Sequence, residues 1–251
     1  MTPPPPFYAD WTFWSWVVAL GALVLSQFPP LRALFRKPRL EIIAHTKIWV
    51  THSIGYPYVD LFLSIRNSGG RPAPVAAIKI DVSRDGSLIA SLPGQGYFES
   101  LNDKSALMMV PFRISADGEW NHAVKFYGNL ARLEERHLRQ IVSSLRTDIT
   151  HKVEAVKAAG APQVLQIADP ALVVPLRQLF ESKFVWLPGE YESVVSIDVE
   201  GQPSAVNRFR FTLYESDTAD LRAHTEDYTF GGGVYFGGEN RTSVWATVVR
   251  Q

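Results

Sequence analysis

Tyr58–Asn67, YVDLFLSIRN, alternates along its length. Val59, Leu61, Leu63 and Ile65 fall on one face, and Asp60, Ser64 and Arg66 on the other, with Phe62 as the exception. Period two with one apolar face predicts an antiparallel strand with one side on a core and the other toward water. Upstream, LEIIAHTKIWVT from Leu40 reads as a strand of about a dozen residues, long enough to bend midway. Downstream, Ser68-Gly69-Gly70 with Pro72 forms a turn, since glycine takes the positive φ that other residues avoid. Ile78, Ile80 and Val82 mark a third strand, Asp85-Gly86 a hairpin turn, and SLIASL its return. SALMMVPFRIS and EWNHAVKFYG flank an Asp117-Gly118 turn.

The pattern changes in the middle of the chain. Leu130, Leu133, His137, Ile141, Leu145, Ile149, Val153 and Val156 recur at three- and four-residue steps, which predicts a helix with one apolar stripe. Gly160 and Pro162 stop it, and Asp169-Pro170 reads as a second helix start with Leu172, Leu176, Leu179 and Phe180 inward. Strands return with Tyr191 to Val199 and with Phe209, Phe211 and Leu213, and Asp217 is expected to cap a short helix. A last strand, TSVWATVV, follows the glycine-rich FGGGVYFGG. The expected fold is therefore mainly β, an immunoglobulin-like antiparallel sandwich over 40–251 with a helical insertion at about 129–183.

A different signal precedes this block. Between Asp10 and Arg32 the chain carries no charge for about 21 residues, about the length of a bilayer-spanning helix. The expected division is a Pro-rich tail over 1–10, one transmembrane helix over 11–28 and a basic juxtamembrane segment over 29–39. Trp11, Trp14 and Trp16 form an interfacial belt, and Val17, Leu20, Leu23 and Leu25 supply the apolar body. Gly21 and Ala22 are small enough to let a second helix approach, so a homo-oligomer is among the expected partners. Asp10 is the expected N-cap, and Pro29-Pro30 ends the helix. Arg32, Arg36, Lys37 and Arg39 follow, whereas the tail has no Lys or Arg. That asymmetry predicts an N-out, C-in orientation with the β-rich part in the cytoplasm. A cleaved signal peptide would need a basic start and a small-residue cleavage site, and neither is seen.

Lys+Arg and Asp+Glu are equal at 25 each, so no general basic field argues for nucleic acid. With no cysteine there is neither a disulfide nor a thiolate metal site. The six histidines show no metal-ligand spacing. His45 and His52 are the nearest pair, His137 is expected on the buried helical stripe, and His151 is expected in solvent. FGGGVYFGG lacks the Lys-Ser/Thr of a phosphate loop and precedes a strand, so it reads as a flexible connection. Glu190 and Glu192 share a strand face, which reads as edge charge. Asn240-Arg241-Thr242 matches a glycan acceptor that the expected orientation would keep in the cytosol.

No cofactor, catalytic residue or metal ligand is expected. The function expected is a protein-interaction or sensing module, single-pass and membrane-anchored, with the bilayer and another protein as partners. The alternatives are a membrane effector whose helix oligomerises to perturb the bilayer, or an enzyme with an unrecognised site.

Overall fold

The structure, a computed structural model, describes residues 8, 10–27, 36–100, 103, 105–162, 164–235 and 243–250. Helix α1 spans Trp11–Gln27. Asp10 caps it, accepting the Thr12 amide at 3.1 Å, and the hydrogen bonds from Thr12 hold this carboxyl below its ordinary range. At 17 residues α1 rises about 26 Å, less than the roughly 30 Å hydrocarbon core of a bilayer. Among the described residues no helix is long and apolar enough to cross a membrane. Of the transmembrane segment expected over 11–28, the described residues Trp11–Gln27 are helical, and Phe28 lies outside the described residues.

The remainder is β-rich. β1 (Leu40–Ser53), β2 (Tyr56–Asn67), β3 (Ala73–Arg84), β4 (Ser87–Phe98), β5 (Leu107–Met108), β6 (Phe112–Ile114) and β7 (Glu119–Tyr127) come first. Helices α2 (Arg132–Ala158) and α3 (Pro170–Lys183) follow, inside the expected insertion. Then come β8 (Gly189–Val199), β9 (Ala205–Leu213), α4 (Glu215–Arg222), a 3₁₀ turn at Ala223–Phe230, β10 (Ser243–Thr247) and β11 (Val249–Arg250). Every strand pair is antiparallel, in the order β10-β1-β2-β7-β4-β3-β8-β9-β11, with β5 against β4 and β6 against β3.

Two strands turn corners. The first half of β4 pairs with β3, whereas its second half pairs with β7, with a register shift between Gly94 and Gly96. The C-terminal segment likewise pairs with β1 through Lys47↔Thr247 and then with β9 through Val249↔Arg210. The first and last strands of the order are therefore joined by the chain itself, and Asn207 Nδ2 on β9 donates to the Ile42 carbonyl on β1. The sheet is nearly barrel-like, which covers most of its edges. β1 bends as its length predicts, with an irregularity between Ala44 and Ile48.

The alternation of β2 is realised in full: Val59, Leu61, Leu63 and Ile65 are at most 2% exposed. They join Phe126, Ile80, Val195 and Phe211 in one continuous core that also takes in Leu145, Ile149, Leu176 and Phe180 from α2 and α3. Burying one such side chain stabilises by about 1.5–3 kcal/mol. The helices leave from the ends of β7 and β9 and enter at the start of β8, so they cap one end of the β structure. The opposite end, where the chain enters from Arg36, carries the starts of β1 and β7 and the ends of β2 and β4.

The stripe expected on α2 needs correction at its first turns. His137 is exposed and Leu133 is 74% exposed, whereas Glu134 and Leu138 turn inward. Successive four-residue steps drift about 40° around a 3.6-residue helix, so counting back from Leu145 by fours leaves the buried face. Along α3, Asp169 accepts the Ala171 amide at 2.8 Å, as expected of the cap, and the helix continues through Pro175. Val173 joins Leu176 and Phe180 as the buried set, with Leu172 and Leu179 half-buried.

Candidate functional site

A cleft of about 740 Å³ opens at the helix-capped end. Its floor comes from the start of β2 and the end of β7, where Tyr58 and Tyr127 pair across the strands with rings stacked 5.0 Å apart. Ile89 and Leu92 from β4, and Leu130, Leu138 and Val185 from the helical layer, make its apolar walls. The β1–β2 turn that presents this floor is tight. Ile54 and Gly55 have φ of 50° and 83°, and a Cβ on Gly55 would sit 2.5 Å from the Phe180 carbonyl oxygen. Helix α3 therefore presses directly on the turn, and only glycine leaves room.

Three polar groups meet at one wall: Tyr56 from β2, Glu134 from α2 and Lys183 from α3. Lys183 Nζ forms an ion pair with Glu134 and lies 5.4 Å from the Tyr56 ring centroid. The hydrogen bond from Lys183 holds the Glu134 carboxyl below its ordinary range, with Tyr56 adding to it. Burial, reinforced by the neighbouring Glu134, pushes the Tyr56 phenol up to about 12. The phenol oxygen is shielded from solvent, and its place beside Glu134 accounts for its polar surroundings. At neutral pH the raised phenol is neutral and the lowered carboxyl is ionised. The phenol and the carboxylate thus hold fixed protonation states, which suits fixed polar recognition inside an apolar cleft better than proton transfer.

The residues singled out from sequence lie elsewhere. Trp11, Trp14, Trp16, Val17, Leu20, Gly21 and Leu23 are all on α1, where Trp11 is 83%, Trp16 67% and Leu23 64% exposed. Trp14 Nε1 donates to the Tyr8 carbonyl at 2.8 Å. Leu25 lies within α1, and its side chain is outside the description, as is Arg32 altogether. Arg36, Lys37 and Arg39 are exposed at the entry end. There the strand approach is fixed by Asn67, which is fully buried. Its Oδ1 accepts from the Arg39 and Gly69 amides at 3.2 and 3.0 Å, and its Nδ2 donates to the carbonyls of Arg71, Ile114 and Ser115. A Cβ on Gly69 would lie 2.3 Å from the Lys37 carbonyl oxygen, so the basic strap crosses the turn at backbone contact.

His45 and His52 do not converge on a metal geometry. His52 is half-buried between Phe180 and Phe184, with Nε2 2.7 Å from the Leu221 carbonyl and Nδ1 accepting from the Gly55 amide at 3.2 Å. Both ring nitrogens are thus engaged by backbone as a neutral Nε2–H tautomer, whereas His45 is exposed. His151 is exposed as expected. Among the described residues no group of three His, Cys, Asp or Glu side chains could hold a metal. Glu192 pairs with Arg208 at 2.8 Å across the strands, and Glu190 is exposed. Of the glycine-rich loop, Gly231 and Gly233 adopt φ of 79° and 72°, while 236–238 and Asn240 are outside the described residues.

Tyr56, Glu134 and Lys183 carry no shared spacing, and only the packing of α2 and α3 over the β1–β2 turn brings them together. The single signal for Glu134 was the 3.6-residue phase of α2. No protein-family model matches the chain, and no curated protein is significantly similar to it.

Proposed function

We propose that the chain is a membrane-anchored β domain that serves as a protein-interaction or sensing module at the cytoplasmic face. The cleft at the helix-capped end receives an apolar segment of a protein partner. The observation that carries the reading is the position of this cleft, at the end of the β structure opposite the strap Arg36–Arg39 by which the chain enters. A tether at one end and a recognition cleft at the other is the arrangement such a module needs. The nearly closed sheet supports the choice of cleft over strand addition, because few long edges remain to template a partner strand.

Anchoring is supported by the uncharged run from Trp11 to Leu31, of which α1 is the described helical part. A bilayer thins locally around a short apolar helix at a cost of a fraction of a kcal/mol per Å of mismatch. The N-out, C-in orientation rests on the basic residues Arg32, Arg36, Lys37 and Arg39 following that run. Residues 40–251 are read as one unit of immunoglobulin-like sandwich type, a reading supported by the continuous core and by the two strands that change partners at the corners.

The test is site-specific photo-cross-linking in intact cells with the full chain. A photoreactive residue replaces Ser91 at the cleft rim, with Arg113 at the opposite end as the comparison, and a cytosol-only reporter is fused after Gln251. A discrete protein adduct from position 91 but not from 113, with an active reporter, is expected. An adduct pattern identical at both positions removes the cleft from the reading, and a silent reporter removes the cytoplasmic placement.

A further inference from the structure

We propose that His52 is a proton-sensitive latch on the cleft: it holds the β1–β2 turn closed while its imidazole is neutral and releases the turn in acid. This concerns the regulation of the cleft and rests on reading that cleft as the recognition site. Ile54 and Gly55 are both buried, and both lie at positive φ, 50° and 83°. A β-branched residue does not hold such an angle by preference, so its surroundings impose it. The turn is clamped from two sides. Helix α3 presses on it at the Phe180 carbonyl, and His52 Nδ1 accepts the Gly55 amide at 3.2 Å. Ser53 and Tyr56 are the last pair of the ladder, so the Gly55 amide falls outside it and His52 supplies its acceptor.

That bond needs an unprotonated Nδ1. Nε2 lies 2.7 Å from the Leu221 carbonyl of α4, which only an N–H can satisfy. The neutral ring therefore meets both neighbours at once, and a second proton can enter only at Nδ1. There it would point at the Gly55 N–H, donor against donor, and leave a buried amide without its acceptor. Phe180 and Phe184 border the ring, with centroids 5.1 and 5.6 Å away. The charged groups on the packed elements are already matched. Arg222 of α4 lies over the Phe184 ring at 4.7 Å and donates to both carboxylate oxygens of Glu181 on α3. Lys183 of α3 is paired with Glu134, and Asp220 of α4 is exposed to solvent. Burial raises the phenols of Tyr56 on β2 and Tyr228 on the 3₁₀ turn, so both are neutral.

The cleft feels the release because the same contact carries its polar wall. A Cβ on Gly55 would also lie 3.0 Å from Lys183 Cβ, and Tyr56 is the next residue along the chain. As the turn moves off α3, Tyr56 parts from Lys183 and Glu134 and the wall loosens. The coupling has one sign. The proton and the Gly55 bond exclude one another, so the closed turn is complete at neutral pH and is lost as pH falls through the imidazole range, about pH 7 to 5.

The chain has no cysteine, so Ser182→Cys on α3 at the cleft and Arg113→Cys at the opposite end can each carry a single environment-sensitive fluorophore. The full-length proteins in detergent micelles are titrated from about pH 8 to about pH 5 with no partner present. A reversible one-proton change in emission is expected at 182 and none at 113. The change at 182 should be lost in His52→Asn, which keeps an acceptor oxygen for the Gly55 amide and cannot titrate. A flat emission at 182, or a change that persists in His52→Asn, overturns the latch. Histidine nitrogen NMR spectra of the unsubstituted protein decide the point even where His52→Asn does not fold. His52 Nδ1 should gain its proton over the same pH range as the emission change, and an Nδ1 that stays unprotonated throughout overturns the latch. A failed latch leaves cross-linking from position 91 standing, whereas a working latch without that cross-linking removes only the recognition role of the cleft.

Discussion

The two ends of the β structure are held together by different physics. At the helix-capped end, Trp186, Phe180, Leu176, Leu145 and Ile149 are at most 1% exposed, and the layer is fixed mainly by apolar area. At the entry end the corresponding centre is a polar one, the buried Asn67, with two accepted and three donated hydrogen bonds. Apolar packing is non-directional and tolerates a cleft along its margin, because a missing neighbour costs only its own contacts. A buried amide network is directional, and every member must be in place. The contrast leaves room for a cleft at the first end and fixes the incoming strap at the second.

Trp186→Ala tests the apolar end and should give the largest effect. The indole is fully buried, and its Nε1 donates to the Thr51 carbonyl at 2.8 Å, while its own carbonyl accepts from Thr218 Oγ1 at 3.1 Å. Removing it leaves a cavity in the middle of the core and takes one donor from the Thr51 carbonyl, at a cost of about 3–5 kcal/mol. A fall in the urea midpoint is the readout. A change of less than about 1 kcal/mol would mean that the helical layer is not integral to the core.

Asn67→Ala should cost less overall, about 2–3 kcal/mol, but act locally. The Arg39 and Gly69 amides and three carbonyls lose their common partner together. Trypsin cleavage at Arg36 and Arg39 is then expected to accelerate well before sites on α2 such as Arg139 and Arg146. In Trp186→Ala, cleavage on α2 should rise at least as much as at the strap. Equal acceleration at both ends in Asn67→Ala would erase the distinction between them.

What sequence could reveal follows the same division. β2 was legible because period two is a property of neighbouring residues, and the Asp85-Gly86 turn because both residues suit positive φ, observed at 50° and 79°. The Ile54-Gly55 turn was not, since a β-branched residue at φ 50° is held there by burial and not by preference. Asn67 reads only as the last residue of a strand. Its role depends on three segments, near Arg39, Arg71 and Ile114, that meet only in the fold. The trio Tyr56, Glu134 and Lys183 is invisible for the same reason, and Glu134 was further hidden by a stripe traced in steps of four. The placement of α2 and α3 over one end also needed the structure, because an apolar stripe says that a helix is covered and not by what.

The smallest expected effect separates charge from packing within the helical end itself. Asp148 on α2 accepts from Lys152 Nζ and from the Asp169 amide, at 2.7 and 2.9 Å, and so ties α2 to the cap of α3. The hydrogen bond from Lys152 is the main reason its carboxyl lies below the ordinary 3.8, with the Asp169 amide contributing. A lowered folded value means that the stabilisation is complete above the unfolded value and is lost as pH falls through the folded one. Asp148→Asn keeps an acceptor oxygen for the amide but loses the charge opposite Lys152, so it should cost about 0.5–1 kcal/mol near neutrality for this partly exposed pair. Thermal melts at about pH 6 and about pH 2.5 check the sign. The gap between wild type and Asp148→Asn should narrow in acid, because protonation removes the same charge from the wild type. A gap that stays constant would show that the residue acts through shape alone, and the junction of α2 with α3 would then be apolar throughout, like the core beneath it.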